Sequence, residues 1–239
     1  MSTVLVPGGA GGVGEGIVRA LAGAGHAVIV PSRSERKLAA LRARLPATER
    51  LATFVAEIGE AGGAEAVRDR LAREGRTLDA VVPTLGGWWE GGPLLAMAAA
   101  EWDLVMNEML RTHFIVARTF VPVLERQGFG RYIGIGGGAA YVPILNCTPV
   151  SIAAAAQIMM TRAIRAEVRS PGVDVLELVV DGPVRTRDSE AIAQPDWITA
   201  DDVGRIVVEL VRDGTTASTA VTREGPILRM RPAAKVPDV

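Results

Sequence analysis

Three glycines at fixed spacing and one hydroxyl–guanidinium pair are the residues of this chain whose types suit a phosphate-bearing ligand. Gly8, Gly12 and Gly14 lie in PGGAGGVGEG, residues 7–16, between the apolar run Val4–Val6 and an alanine- and leucine-rich segment at 15–25. Glycine there allows a tight turn and lets bare backbone, including that of Val13, approach a pyrophosphate. The following helix offers free N–H groups and the positive end of its dipole. A tight turn with close helix–strand packing would use the same glycines. The placement directly after a first strand and at the opening of a helix favours a nucleotide site. The second apolar run ends Val30-Pro31-Ser32-Arg33. An acidic residue at this place would accept bonds from a ribose 2′-hydroxyl. Arg33, with Ser32, offers instead charge-assisted bonds to a 2′-phosphate, worth about 1.5–3 kcal/mol each. This favours NADP over NAD, the alternative being a solvated arginine that opens a helix.

Other reactive side chains are few. The stretch TPVSIAAAAQ, residues 148–157, sets Ser151 ahead of a run of alanines. No base is evident beside it, so the serine is expected to cap a helix rather than to act as a nucleophile. Cys147 reads as a small buried thiol. Tyr141 and His113 are the candidates for proton transfer. Their alternatives are a pocket-wall tyrosine and a satisfied, partly buried histidine.

The elements that must position these residues alternate along the whole chain. Strand patterns fall at Val4–Val6, Ala27–Val30, Thr53–Val55, Leu78–Val82, Tyr132–Ile135 and Val173–Val180, with a last one near 217–229. Helical spacing covers 15–25, 34–45 (with Leu38, Leu41 and Leu45 on one face), 64–73, 98–127, 151–169 and 201–212. No linker or repeat interrupts them. Strict alternation specifies a mostly parallel sheet with helices on both faces. The expected fold is α/β, a single doubly wound Rossmann-type domain over 1–239 with about seven strands. Its nucleotide-binding half is residues 1–90.

Composition narrows the function classes. The chain has 239 residues, 49% hydrophobic and 22% charged, with 26 Lys+Arg against 27 Asp+Glu. A net charge of −1 gives no basic surplus for nucleic acid or an anionic membrane. One cysteine excludes an intramolecular disulfide, and two histidines speak against a His-rich metal cluster, so no metal is expected. No apolar run reaches about 18 residues, so no membrane span is expected. The first residues lack a basic n-region, which leaves the cytoplasm as the expected compartment.

With these residues in place, the chain resembles the short-chain dehydrogenase/reductase family. PGGAGGVG at 7–14 matches the TGxxxGxG loop, with Pro7 in the place of threonine. The resemblance places Glu57-Ile58 beside the adenine. DAVVPTLG at 79–86 falls on the strand that ends in NNAG, of which Gly86 remains. DGPVRT at 181–186 is similar to the PGxxxT loop at the nicotinamide, which implicates Pro183, Val184 and Thr186. Trp102-Asp103 matches a common start of the family's dimer helix, and ITADDV at 198–203 resembles the start of its last helix. Trp88 and Trp89, with Tyr141, fall where the family's substrate pocket opens.

The family's catalytic set is Asn, Ser, Tyr and Lys. Counted along the resemblance, these positions are Met109, Gly137, Val150 and Ala154, so all four functions are missing. No tyrosine or lysine lies between 142 and 234, and the chain's lysines are Lys37 and Lys235. The resemblance therefore implies a divergent family protein with weak NADP(H) binding and no standard carbonyl-reductase catalysis. It would be a non-catalytic member or a partner subunit that binds some small molecule. The alternatives are an NADP-dependent oxidoreductase with a non-standard proton donor, and an isomerase, cyclase or lyase built in the family pocket. A surplus of apolar residues on helices 98–127 and 151–169, Met159 and Met160 among them, implies a homodimer or homotetramer, or a hetero-oligomer with an active homologue.

Overall fold

In the computed structural model, residues 1–45 and 50–232 are described. Their elements run β1 (Thr3–Leu5), α1 (Gly12–Gly23), β2 (Ala27–Ser32), α2 (Glu35–Arg44), β3 (Leu51–Val55), α3 (Ala61–Arg73), β4 (Ala80–Val81), α4 (Ala99–Met106), α5 (Thr112–Gln127), β5 (Gly130–Gly137), α6 (Thr148–Glu167), β6 (Val173–Val180), β7 (Val184–Arg185), β8 (Ile198–Thr199), α7 (Ala200–Asp213), β9 (Val221–Glu224) and β10 (Ile227–Met230). Eight strands form one sheet in the order β3-β2-β1-β4-β5-β6-β10-β9, and β7 and β8 pair separately. The strand order turns outward on either side of β1 and β4, which opens a crevice at their carboxyl ends.

The strands are apolar on both faces because both are covered. Val4, Val6, Val28, Val30, Ile133, Leu176 and Leu178 face one core, shared with Ile17, Leu21 and Leu38 of α1 and α2 and with Val203 and Val207 of α7. Leu5, Ile29, Val81, Tyr132 and Val175 alternate to the other, against Val67 and Leu71 of α3 and Val116 and Phe120 of α5. Helices α2 and α7 start at side-chain caps. Ser34 Oγ accepts from the Lys37 N–H, and Thr199 and Asp202 form a reciprocal capping box on α7. Among the described residues no helix is long and apolar enough to cross a membrane.

The expected doubly wound α/β sheet is present, with eight strands where about seven were expected. Three expectations need correction. The expected single strand at 217–229 is a hairpin, turned at Gly225 in the left-handed region (φ 58), so β9 runs antiparallel to β10. The helix expected over 98–127 is two helices joined by a π-helical turn, Asn107–Arg111. The helix expected from 151 begins at Thr148, with Pro149 in its first turn. Lys235 lies outside the described residues.

Helices α1 and α7 cross at two glycines. A β-carbon on Gly204 would lie 2.6 Å from the Gly16 carbonyl oxygen and 2.7 Å from the Ala20 side chain. Alanine at an unhindered helical position stabilises by up to about 1 kcal/mol over glycine, whereas overpacking costs about 1–3 kcal/mol. Gly204→Ala is therefore expected to lower stability, measured by urea denaturation. A stabilised variant would show that the two helices separate freely.

Candidate functional site

The glycine turn ends β1 and opens α1. Gly8 has φ +81, and a β-carbon there would run into the Thr84 carbonyl beyond β4. Gly14 packs on the Gly8 carbonyl in the same side-chain-free way, and a β-carbon on Gly12 would stand only 2.9 Å from the Thr186 side chain. No side chain caps the start of α1. The first N–H groups of the helix, at Gly12, Val13 and Gly14, thus remain available to an anion.

A cavity of about 230 Å³ opens over this turn. Of the residues read as cofactor-binding, Gly8, Ser32, Arg33, Glu57, Ile58 and Gly86 line it. Lys37, one turn into α2, lines it too, beside Arg33. Sequence reasoning counted that lysine only as an absence elsewhere. Neither Arg33 nor Lys37 has an ion-pair partner among the described residues, so both are available to a ligand in the cavity, whose lining also holds Glu57 and Glu108.

A second cavity of about 920 Å³ adjoins the first, and Leu85 and Gly86 line both. The structure brings Met109, Gly137, Val150 and Ala154 together in its wall. Met109 stands on the π-helical turn, whose carbonyl at 109 accepts from buried Gln157 of α6. Pro183 and Val184 form another side, and Trp88 and Trp197 part of the mouth. No tyrosine, lysine, histidine or cysteine is among its lining.

Several sequence candidates lie elsewhere. Tyr141 is not in the cavity wall. Its half-exposed ring lies under the Arg229 guanidinium, 3.8 Å from the ring centroid, and Arg229 pairs with Asp181. His113 is buried, its Nε2 3.1 Å from the Leu85 carbonyl, and burial lowers its pKa. It is a satisfied core histidine. Trp89 turns inward against Val105, Met109 and Ala153 instead of lining the cavity. Ser151 does not cap α6. It sits within the first turn, where its Oγ accepts from the Ile144 N–H at 3.1 Å and ties down the preceding loop. Cys147 is buried, and burial pushes its thiol up. Among the described residues no group of three or more His, Cys, Asp or Glu is placed to hold a metal.

Two charged features escaped the sequence reading. Glu15, buried in the first turn of α1, accepts from Arg44 at 2.7–3.0 Å, from Arg19 at 3.0 Å and from Arg187. Burial pushes its carboxyl up, but Arg44 and Arg187 outweigh that and hold it below the ordinary carboxylate value. Arg187 also donates to the Ala10 carbonyl at 3.1 Å, which fastens the segment after β7 onto the glycine turn. Two of these partners, Arg44 and Arg187, stand 29 and 172 residues from Glu15, so no local pattern signals those pairs. The second is Glu177, in the centre of VDVLELVV on β6 and only 3% exposed. Thr161 of α6 donates to its Oε2. An acid in the middle of an apolar strand, three residues after Asp174 at its start, was the available signal.

A parallel sheet with a glycine turn at its crevice, adjoining an apolar cavity, defines a dinucleotide-binding α/β protein. The family model described as short chain dehydrogenase matches residues 2–196. The chain belongs to that family. It is 25% identical over 206 residues to dehydrogenase/reductase SDR family member 6 of Aquarana catesbeiana, covering 84% of this chain and 80% of the relative. Among solved structures it is similar to a short-chain type dehydrogenase/reductase from Mycobacterium ulcerans, with a TM-score of 0.83 at 20% identity over 96% of this chain and 88% of the other. It is also similar to ElxO with NADP bound, with a TM-score of 0.81 at 15% identity over 97% and 98%.

Burial raises the Glu177 carboxyl from 4.5 to about 7, against the Thr161 hydrogen bond that lowers it. Folding thus favours the protonated form. The stability this contributes is fully present below about pH 4.5 and is lost as pH rises through about 7. Glu177→Gln removes the titration. Its stability relative to wild type is expected to rise between pH 5 and pH 8 in urea melts. Parallel pH dependences for the two proteins would show that the carboxyl is not perturbed.

Proposed function

We propose that this chain is a divergent short-chain dehydrogenase that holds NADP(H) weakly. In this reading it does not perform the family's ordinary carbonyl reduction, but serves as a cofactor- and ligand-binding member or as a partner subunit in the cytoplasm. The observation that carries the reading is the continuity of the two cavities through Leu85 and Gly86, combined with Met109, Gly137, Val150 and Ala154 in the wall of the second. The residues fit the dinucleotide. The turn at Gly8, Gly12 and Gly14 leaves a cradle that side chains would fill. Arg33 and Lys37, with Ser32, provide unpaired donors for a 2′-phosphate beside Glu57 and Ile58. When bound, the dinucleotide supplies a hydride at its nicotinamide, which the proposal places near Pro183, Val184 and Thr186. The protein's own contribution there is binding and exclusion of water, because no tyrosine, lysine or histidine lines the cavity and its two acids, Asp181 and Asp188, are paired with arginines. The missing lysine at Ala154 removes a hold on the ribose and is the reason for weak affinity. Likeness to ElxO with NADP bound and a relative named NADPH-dependent pterin aldehyde reductase, 25% identical over 136 residues, support the choice of cofactor class.

A titration with both cofactors tests this reading. NADPH is expected to bind more tightly than NADH, and Arg33→Ala to reduce the difference by about tenfold, the equivalent of one charge-assisted bond. Equal affinities in the unmutated protein would overturn the assignment of Arg33. Turnover of NADPH with simple ketones and aldehydes is expected to be negligible, since general acid–base catalysis supplies about 10²–10⁴ in rate. Robust turnover would show that a replacement proton donor exists.

The same reading includes assembly. Leu104 of α4, Phe114 of α5 and Ile152 and Met159 of α6 are large apolar side chains open to solvent. A second copy, or an active homologue, would cover them. Light scattering at micromolar concentration is expected to give a dimer or tetramer of the 25.1 kDa chain. A clean monomer would count against assembly through these helices.

A further inference from the structure

We infer that Glu177 makes the second cavity a site for an apolar molecule carrying one protonated amine. The inference rests on the reading above that this cavity takes a small molecule. It starts from the cavity's charge. Two carboxylates, Asp181 and Asp188, belong to its lining, and no cationic side chain does. Those two are already occupied. Asp181 is paired with Arg229 and, at 3.5 Å, with Arg231, and Asp188 meets Arg187 at 3.3 Å.

Glu177 is different. It is buried, Oε2 takes the Thr161 hydroxyl, and Oε1 has no hydrogen-bond partner among the described residues. Oε1 lies against Gly136, which lines the cavity, so close that a β-carbon on Gly136 would stand 2.6 Å from it. Gly134, paired with Glu177 across the strands, is packed on Oε2 in the same way, 3.0 Å from where its β-carbon would be. Glu177 is not itself part of the cavity's lining; it is joined to the cavity through Gly136, which carries no side chain, and any other residue at 136 would collide with the carboxyl.

The groups facing Glu177 from the packed elements do not supply its counter-charge. α6 presents Thr161 and Gln157, and Gln157 is held by the Met109 carbonyl. β5 presents Tyr132, whose hydroxyl donates to the His113 carbonyl of α5 at 3.4 Å. The His113 ring is engaged by Leu85, and burial disfavours its charged form. From β10, Arg229 is taken by Asp181. A carboxylate in this position is therefore uncompensated, which is costly. A carboxyl pushed up to about 7 by burial is what such a site predicts. An ammonium group over Gly136 supplies both the missing donor and the missing charge. A neutral alcohol or ketone supplies no charge.

The test uses the full chain, with 2-phenylethylamine and its neutral isostere 2-phenylethanol as probes. Binding is followed by calorimetry and by the fluorescence of Trp88 and Trp197, which line the cavity. At pH 8 the amine is expected to bind at least about tenfold more tightly than the alcohol. Below pH 7 its binding must first remove the Glu177 proton, so this advantage should shrink, approaching about tenfold per pH unit. Glu177→Gln should bind both probes alike, whereas Asp188→Asn should keep the preference. The proposal is overturned if the alcohol binds as well as the amine at pH 8, or if the preference is flat between pH 6 and pH 8. It is also overturned if the preference survives Glu177→Gln or disappears in Asp188→Asn. The wild-type pH profile decides the matter even where Glu177→Gln fails to fold. Binding of the alcohol without discrimination leaves the ligand-cavity reading standing and removes only the amine. Failure of both probes to bind removes the amine site and counts against the ligand cavity.

Discussion

The approach of the Gly8 turn to the end of β4 is the constraint on which the rest of the site depends. Gly8 sits against the Thr84 carbonyl and Gly14 against the Gly8 carbonyl, so the turn, the start of α1 and the crevice beside β4 are fixed by backbone meeting backbone. A single β-carbon at Gly8 would push the turn away from β4. The N–H groups of α1 would then be displaced from the crevice, and Gly14, packed on the Gly8 carbonyl, would move with the turn. Close-packed interiors transmit such displacements instead of absorbing them.

The same economy of side chains appears at the far wall. Gly134, Gly136 and Gly137 end β5, and Val150, Ala153 and Ala154 face them from α6. In the family pattern this is where proton chemistry is carried. Here the helix keeps its structural tasks. Pro149 starts it, Ser151 ties down the loop before it, and Gln157 holds the π-helical turn that carries Met109. These positioning bonds surround a wall that carries no tyrosine, lysine or histidine, in keeping with a space shaped for binding.

How much of this was legible in the sequence depended on distance along the chain. Local patterns were read well. The apolar runs became strands because both sheet faces are covered, and the glycine turn falls between β1 and α1 because its signal spans only a few residues. The hairpin at 221–230 was read as one strand because Gly225 was not weighed as a turn. Tyr141 was assigned to the pocket from its nearness to β5, yet Arg229 of β10 draws its ring away. The ion pairs of Glu15 with Arg44 and Arg187 join three separate segments, so no spacing rule reaches them. Glu177 was visible as a charge inside an apolar strand, but its meaning required knowing that glycines of β5 lie beside it.

The Arg187 contacts make one edge of the second cavity sensitive to salt. The segment from β7 to β8 borders that cavity and is held to the glycine turn by a guanidinium shared between the Ala10 carbonyl and Glu15. Moving the segment away from the turn breaks both bonds. The hold is ionic, so dissolved salt weakens it, though less than at an open surface because Glu15 is shielded from water. The position of this edge is thereby tied to ionic strength through a residue that is not itself part of the cavity wall.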